Sequence, residues 1–268
     1  MKNQLTLKKL MFWHGSFGSA MAALLLLAAS ASPALANDGT VSSPGVIPPV
    51  VPTNPYGHTY AEWSAKWWQW SLEQSTSNLE LISKPDASDG QVRFLAGGLL
   101  QQSTGGAASL TNQLTISSGT PLFFTIISTW DDNSGCPFTS FTADQLTAAA
   151  EGLWTSVTAT TCTIDGKPVA GLSNPATTSY LVLTPPFSYT TAKEGNVLAG
   201  IFGDECIDGG TTIYPAVADG VYLMLSPLSP GKHTIHTVGI VGPVSAPYVV
   251  EDITYDITVL PDSGINCR

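Results

Sequence analysis

Four tryptophans within eight residues are the most conspicuous side chains able to bind a ligand. At about 100° per residue, Tyr60, Trp63, Trp67 and Trp70 fall within an arc of about 80° on a helix, and Trp68 lies about 80° beyond it. If exposed, this arc would be an aromatic platform for sugar rings. Aromatic stripes at helical spacing more often pack in a core. The pattern therefore predicts a buried helix, with glycan binding as the alternative.

Two acidic segments contain the oxygen ligands that Ca²⁺ prefers in secreted proteins. One holds Asp131 and Asp132, and the other holds Asp204 and Asp208. Neither matches an EF-hand, because the first has Gly135 at its fifth position and no Glu at its twelfth. The sequence predicts solvated turns and no cofactor, with a Ca²⁺ site as the alternative.

Residues for catalysis form no recognisable set. The chain lacks the GxSxG, HExxH, GxGxxG and P-loop patterns. Glu62 with Glu151 or Asp204 could serve as the acid and base of a polysaccharide hydrolase or lyase, although any acidic chain offers such pairs. His233 and His236 are three residues apart in a predicted strand. They should therefore point to opposite faces and act as structural residues rather than as ligands of one metal.

Four cysteines, an even number, are typical of two disulfides in an oxidising compartment. Three pairings are open. A strand precedes Cys136, and a helix followed by a strand leads back to Cys162, which favours Cys136–Cys162 with Cys206–Cys267. The alternative pair Cys136–Cys206 would bring the two acidic segments together and favour Ca²⁺.

The chain begins with the three parts of a secretory signal peptide. Lysines at positions 2, 8 and 9 precede the apolar run 21–29, and Ala-Leu-Ala at 34–36 matches a signal peptidase site. The apolar run is too short to span a bilayer, and no later stretch is apolar enough to do so. We expect cleavage near Ala36 and a soluble product in the periplasm or outside the cell.

Charge limits the partners of this product. Removal of residues 1–36 leaves seven basic and twenty acidic residues, a net charge of −13 with histidine neutral. Nucleic acids and anionic lipid surfaces are not expected partners, because they require clustered Lys and Arg. A glycan, a surface protein and a second copy of the chain are the partners that remain.

The elements that position these groups are mainly strands. A Pro-rich segment, 37–56, is predicted to be extended and mostly uncovered, and a single domain follows over 57–268. Capping boxes begin helices of about 60–74 at Thr59 and about 143–156 at Thr142. Elsewhere, apolar and alternating runs predict strands, joined at 165–166 by an Asp-Gly hairpin turn. The predicted fold class is an antiparallel β-sandwich with two short helices.

Three segments carry a longer pattern. They are Y-G-x-x-Y-x-E-W-S-x-x-W-W-x-W at 56–70, I-D-G-K-P-V at 164–169 and D-G-V-Y-L-M-L-S-P-L-S-P-G-K-H-T-I-H at 219–236. Together they resemble a group of bacterial secreted proteins with no assigned biochemical function. The resemblance implies export and a single domain, and supplies no activity or catalytic residue. The favoured function is a non-catalytic binding or structural module, and the alternative is the hydrolase or lyase described above.

Overall fold

The computed structural model describes residues 45–49, 55–75, 92–97, 107–135, 138–202, 207–245, 247 and 249–261. The predicted signal peptide, 1–36, lies outside these ranges, as do Asp204, Cys136, Cys206 and Cys267. The strands are β1 (Val46–Ile47), β2 (Arg93–Phe94), β3 (Ala107–Ser117), β4 (Leu122–Asp132), β5 (Val157–Ile164), β6 (Lys167–Pro168), β7 (Leu181–Leu183), β8 (Phe187–Thr190), β9 (Thr212–Leu225), β10 (Gly231–Val241) and β11 (Val249–Leu260). The helices are α1 (Tyr60–Leu72), α2 (Ala143–Leu153) and α3 (Val197–Phe202), with a 3₁₀ turn at Pro55–Gly57.

Two sheets divide these strands. The first has the order β1-β9-β4-β2, with β7 and β8 also pairing with β9, and the second has the order β3-β11-β10-β5-β6. The predicted mainly β sandwich is confirmed. Two pairs, β2–β4 and β3–β11, are parallel and not antiparallel as expected. The two strands of each pair are not joined by a hairpin, so no tight turn requires them to be antiparallel.

Both predicted capping boxes form. The Thr59 hydroxyl accepts the Glu62 N–H, and the Glu62 carboxylate accepts the Thr59 N–H at 2.7 Å. Thr142 and Gln145 repeat the arrangement at the start of α2. Each pair satisfies two backbone donors that a helix start leaves unpaired. The two helices end two or three residues earlier than predicted.

Helix α1 covers the outer face of the first sheet. The Trp68 indole donates to the Tyr222 hydroxyl at 2.7 Å, and the Met224 N–H donates to the Tyr60 hydroxyl at 3.0 Å. The other face of this sheet packs on the second sheet, where the Phe124 and Tyr255 rings lie 6.0 Å apart. The layers are therefore α1, the first sheet and the second sheet. Along β10 and β11, buried residues of the inner face alternate with half-buried and exposed residues of the outer face.

The 165–166 turn agrees with the sequence-based prediction, whereas β1 and α3 were not predicted. Asp165 and Gly166 have φ values of +51° and +73°, the signature of the predicted hairpin turn. Within the Pro-rich lead-in, β1 pairs with β9, so the sheet begins before residue 57 and this part is not uncovered. Helix α3 was not predicted, because six residues are too few for a helical period to stand out. No helix within the described ranges is long and apolar enough to cross a membrane.

Candidate functional site

The tryptophans of α1 lie against the first sheet. Trp63, Trp67 and Trp68 are at most 2% exposed, and Trp70 is partly buried beside them. The Trp63 indole donates to the Pro55 carbonyl at 2.8 Å, and the Trp67 indole donates to the Leu95 carbonyl at 2.9 Å. This agrees with the prediction that Trp67 is a core residue. Three of the four candidate platform rings have no exposed face on which a sugar could stack.

The first acidic segment uses its oxygens internally. One oxygen of Asp132 accepts from the Ser134 N–H at 2.8 Å and from the Ser134 hydroxyl. The other accepts from the Trp130 indole at 3.0 Å and from the Tyr189 hydroxyl. A cation at Asp132 would compete with all four donors.

The second acidic segment is described only at Asp208, which is exposed and whose main-chain carbonyl accepts from Thr191 at 3.0 Å. Asp204 lies outside the described residues. Within the described ranges, no three His, Cys, Asp or Glu side chains converge as metal ligands. A Ca²⁺ site that includes Asp204 stays an alternative.

Cys162 is the cysteine that the structure describes. Its thiol is free and buried in the core, and burial raises its pKa to about 12. An uncharged thiol at neutral pH is a poor nucleophile. Cys162 therefore carries no disulfide in this structure, where the pair Cys136–Cys162 was predicted. Cys136, Cys206 and Cys267 lie outside the described residues, so both disulfides stay predictions.

Glu62, the first of the suggested catalytic carboxyls, is committed to the cap of α1. The hydrogen bonds from the Thr59 N–H and hydroxyl lower its pKa, and its side chain is half exposed. A general acid needs the opposite shift, towards neutral pH. His58 lies 3.8 Å from Glu62 and stands edge-on to Trp63.

Two other carboxyls have the shift that acid–base chemistry needs. Asp131 pairs with Val217, and Thr129 pairs with Asp219, so both acids lie on the face of the first sheet where Val217 packs against α2. Burial raises the pKa of Asp131 to about 7, with a further contribution from Asp132. Burial also raises the pKa of Asp219 to about 6, and Glu151 of α2 adds to this.

Ser229, His233 and Asp165 have the connectivity of a catalytic triad. His233 Nδ1 lies 2.8 Å from Asp165 Oδ2, while Nε2 lies 3.4 Å from Ser229 Oγ and 2.9 Å from the Ser229 carbonyl oxygen. The Ser229 carbonyl and the Asp165 carboxylate both accept, so the two contacts together favour a ring that carries a proton on each nitrogen. Burial lowers the pKa of His233, but these hydrogen bonds outweigh it and raise the pKa overall.

In a triad the histidine Nε2 accepts the serine proton, but here Nε2 lies closer to the Ser229 carbonyl than to its hydroxyl, a geometry that suits a clamp better than a triad. It ties the 165–166 hairpin turn to the start of β10, where the Thr234 N–H also donates to Asp165 at 2.9 Å. His236 binds a different acid, Asp252, at 2.8 Å. The two histidines therefore have separate carboxylate partners.

The outer face of the second sheet holds a polar groove of about 670 Å³. Two cross-strand rows project into it, each formed by one residue of β3, β11 and β10. They are Gln113–Asp256–Thr234 and Thr115–Thr258–Lys232. Thr258 is half-buried and the other five side chains are exposed. We call this set the wet-face groove.

The alternation of apolar and polar residues along β11 marks one face of this strand as solvated, but the groove itself depends on pairing across three strands. β3 and β11 are more than a hundred residues apart in the chain. No local signal could align Gln113 with Asp256.

Comparison of the chain with protein-family models, with curated proteins and with solved structures finds no match.

Proposed function

We propose that this chain is an exported, non-catalytic binding module that holds a neutral glycan in the wet-face groove. The signal peptide pattern supports export, and the resemblance to bacterial secreted proteins is consistent with it. The observation that carries the proposal is the double row of polar side chains across β3, β11 and β10. Sugar hydroxyls can form hydrogen bonds with hydroxyl, amide and carboxylate groups, and this sheet face presents such groups on neighbouring strands about 4.8 Å apart.

The chemistry of the groove favours an uncharged polyhydroxylated ligand. Lys232 and Asp256 supply one charge of each sign, and His233, which also lines the groove, is paired with Asp165 outside it. Gln113, Thr115 and Thr258 supply amide and hydroxyl groups. Thr234 already donates to Asp256 at 3.4 Å, a long bond that a sugar hydroxyl can replace. The net charge of −13 in the mature chain repels acidic polysaccharides. A neutral glycan is therefore compatible with the side chains of the groove and with the negative net charge of the mature chain.

Substitutions in the groove should reduce binding to neutral oligosaccharides. We expect the double variant Gln113→Ala, Thr234→Ala to lose at least about tenfold in affinity, because each lost hydrogen bond in a partly enclosed site contributes on the order of 1 kcal/mol. The measurement is a glycan array followed by calorimetric titration with the best soluble oligosaccharide.

Thr161→Ala is the matched control. It removes an exposed threonine from β5 on the same face, outside the groove. The control should bind as the wild type does, and both proteins should keep the wild-type melting temperature. Equal affinity of the groove variant and the wild type would refute the assignment of the site.

Asp131 and Asp219 support a second candidate, a carbohydrate-active hydrolase or lyase. Their pKa values of about 7 and about 6 suit a general acid and a general base near neutral pH. These two carboxyls replace Glu62 in that hypothesis, because Glu62 is held by the α1 cap. The drawback is burial: Asp219 is 4% exposed, and α2 lies over this face of the sheet.

A hydrolase or lyase that uses Asp131 and Asp219 would show activity on polysaccharides. If this hypothesis holds, the mature chain degrades a neutral polysaccharide, and Asp131→Asn lowers the rate by about 100-fold or more. The measurement is release of reducing ends from a panel of soluble glucans, xylans and mannans. We expect no turnover. Any turnover that Asp131→Asn abolishes would replace the binding proposal.

A further inference from the structure

Strand β3 is a long edge of the second sheet. It runs for eleven residues, AASLTNQLTIS, and pairs with β11 on one side, while no other strand of the described residues pairs with its outer side. The strand contains no charged residue and no proline. Natural edge strands usually carry such residues to block pairing with another chain.

The main chain of β3 shows which groups face outward. The Ser118 N–H donates to the Leu260 carbonyl at 2.9 Å, so residues of even number bond to β11. In a parallel pair, bonding residues alternate along the strand. The N–H and C=O groups of Ser109, Thr111, Gln113, Thr115 and Ser117 therefore point away from the sheet. Their side chains are exposed on the wet face.

We propose that β3 pairs antiparallel with β3 of a second copy of this chain, so that one continuous sheet crosses a two-fold axis. Pairing over the full strand places Asn112 opposite Asn112 of the other copy. Thr111 then faces Gln113, and Ser109 faces Thr115. The outward groups of both strands would form about a dozen main-chain hydrogen bonds.

The side chains of β3 are complementary to themselves in this register. On the inner face, Leu110, which is partly buried and packs on the core, would lie beside Leu114 of the second copy. Asn112 is 5% exposed and its side-chain N–H₂ has no acceptor among the described residues. Asn112 occupies a position of close approach between antiparallel strands, so the two copies of this residue lie beside each other at the two-fold axis.

Charge also favours a second copy at this edge. The chain is strongly acidic, yet its charged side chains in the second sheet lie on β10, β11 and the turn at 165–167, and none lies on β3. Pairing at β3 keeps the carboxylates of the two copies three strand spacings apart, about 14 Å, where salt screens them. Each wet-face groove then continues into Thr111 and Ser109 of the other copy. The dimer does not depend on glycan binding.

Light scattering coupled to gel filtration tests the association of the mature chain. We expect twice the mass of one chain at micromolar concentration. Thr111→Lys adds a charge at the edge and should halve that mass. Thr254→Lys is the matched control, because Thr254 pairs with Thr111 on the same face but lies one strand further in. The control should remain dimeric, and all three proteins should show the same circular dichroism.

A cysteine scan tests the register separately. Asn112→Cys places two thiols at the two-fold axis, where Cα atoms lie about 4.5 Å apart, and should form a covalent dimer on mild oxidation. Thr115→Cys should not, because it faces Ser109. A wild-type chain with the mass of one copy would overturn the proposal. So would a dimer that Thr111→Lys leaves intact, or equal crosslinking by the two cysteine variants.

Discussion

Replacement of Trp67 by alanine is expected to lower the free energy of unfolding by about 3–5 kcal/mol, a large share of the stability of a typical domain. The Trp67 ring is 2% exposed and lies edge-on to Trp68 at 5.1 Å, with Tyr222 at 6.3 Å on another side. Its removal leaves a cavity and also leaves the Leu95 carbonyl without its donor. Urea unfolding monitored by circular dichroism measures the loss.

Trp70→Ala is the internal comparison. Trp70 contacts Trp67 and Phe94 but is only partly buried, so its truncation should cost clearly less. Trp67→Phe keeps a ring in the core, so its free energy of unfolding should lie between those of the wild type and Trp67→Ala. A Trp67→Ala protein with the wild-type melt and lost glycan binding would instead make α1 the sugar platform.

Stability is expected to fall as the pH rises from about 4.5 to about 8. Glu251 of β11 is 3% exposed, and burial raises its pKa from 4.5 to about 8. Its charge would act on the buried hydroxyls of Tyr222 and Tyr255, whose pKa values it raises further. The folded state keeps the Glu251 proton that the unfolded chain releases. The proton's contribution is therefore complete below pH 4.5, declines by about 1.4 kcal/mol per pH unit, and is gone above pH 8.

Glu251→Gln tests this slope. The amide mimics the protonated acid, so the variant should gain stability relative to the wild type as the pH rises from 5 to 8. Burial raises the pKa values of Asp131 and Asp219 as well. The stability of the variant should therefore still fall with rising pH, but less steeply than that of the wild type. Glu62→Gln is the control, because hydrogen bonds from Thr59 lower the pKa of Glu62 and confine its effect to pH below about 4.5. An unchanged slope in Glu251→Gln would show that this carboxyl is ionised in the core.

Sequence patterns predicted the elements whose signals are local. The capping residues of α1 and α2, the Asp-Gly turn and the alternation of β11 each involve residues within a few positions of one another. The same alternation carried a further signal. Glu251 is separated from Ile253, Tyr255 and Ile257 by even numbers of residues, so its carboxyl lies on the same, buried face of the strand.

Features that depend on distant pairing could not be predicted in this way. The parallel contact of β3 with β11, which builds the wet-face groove, joins two ends of the domain. Asp219 lies beneath α2 only because β9 pairs with β4 in a register that includes a bulge near Ile127. The triad-like geometry of Ser229, His233 and Asp165 likewise arises from the pairing of β5 with β10.

Chemical-shift mapping tests the proposed function most directly. The ¹⁵N-labelled mature chain is titrated with soluble neutral hexasaccharides of glucose, xylose, mannose and N-acetylglucosamine. The proposed site predicts that the largest amide shifts occur at Gln113, Thr115, Thr234, Asp256 and Thr258, with Trp70 and Asp131 unaffected. Shifts centred on α1 or on the face beneath α2, or no shifts with any of the four glycans, would contradict it.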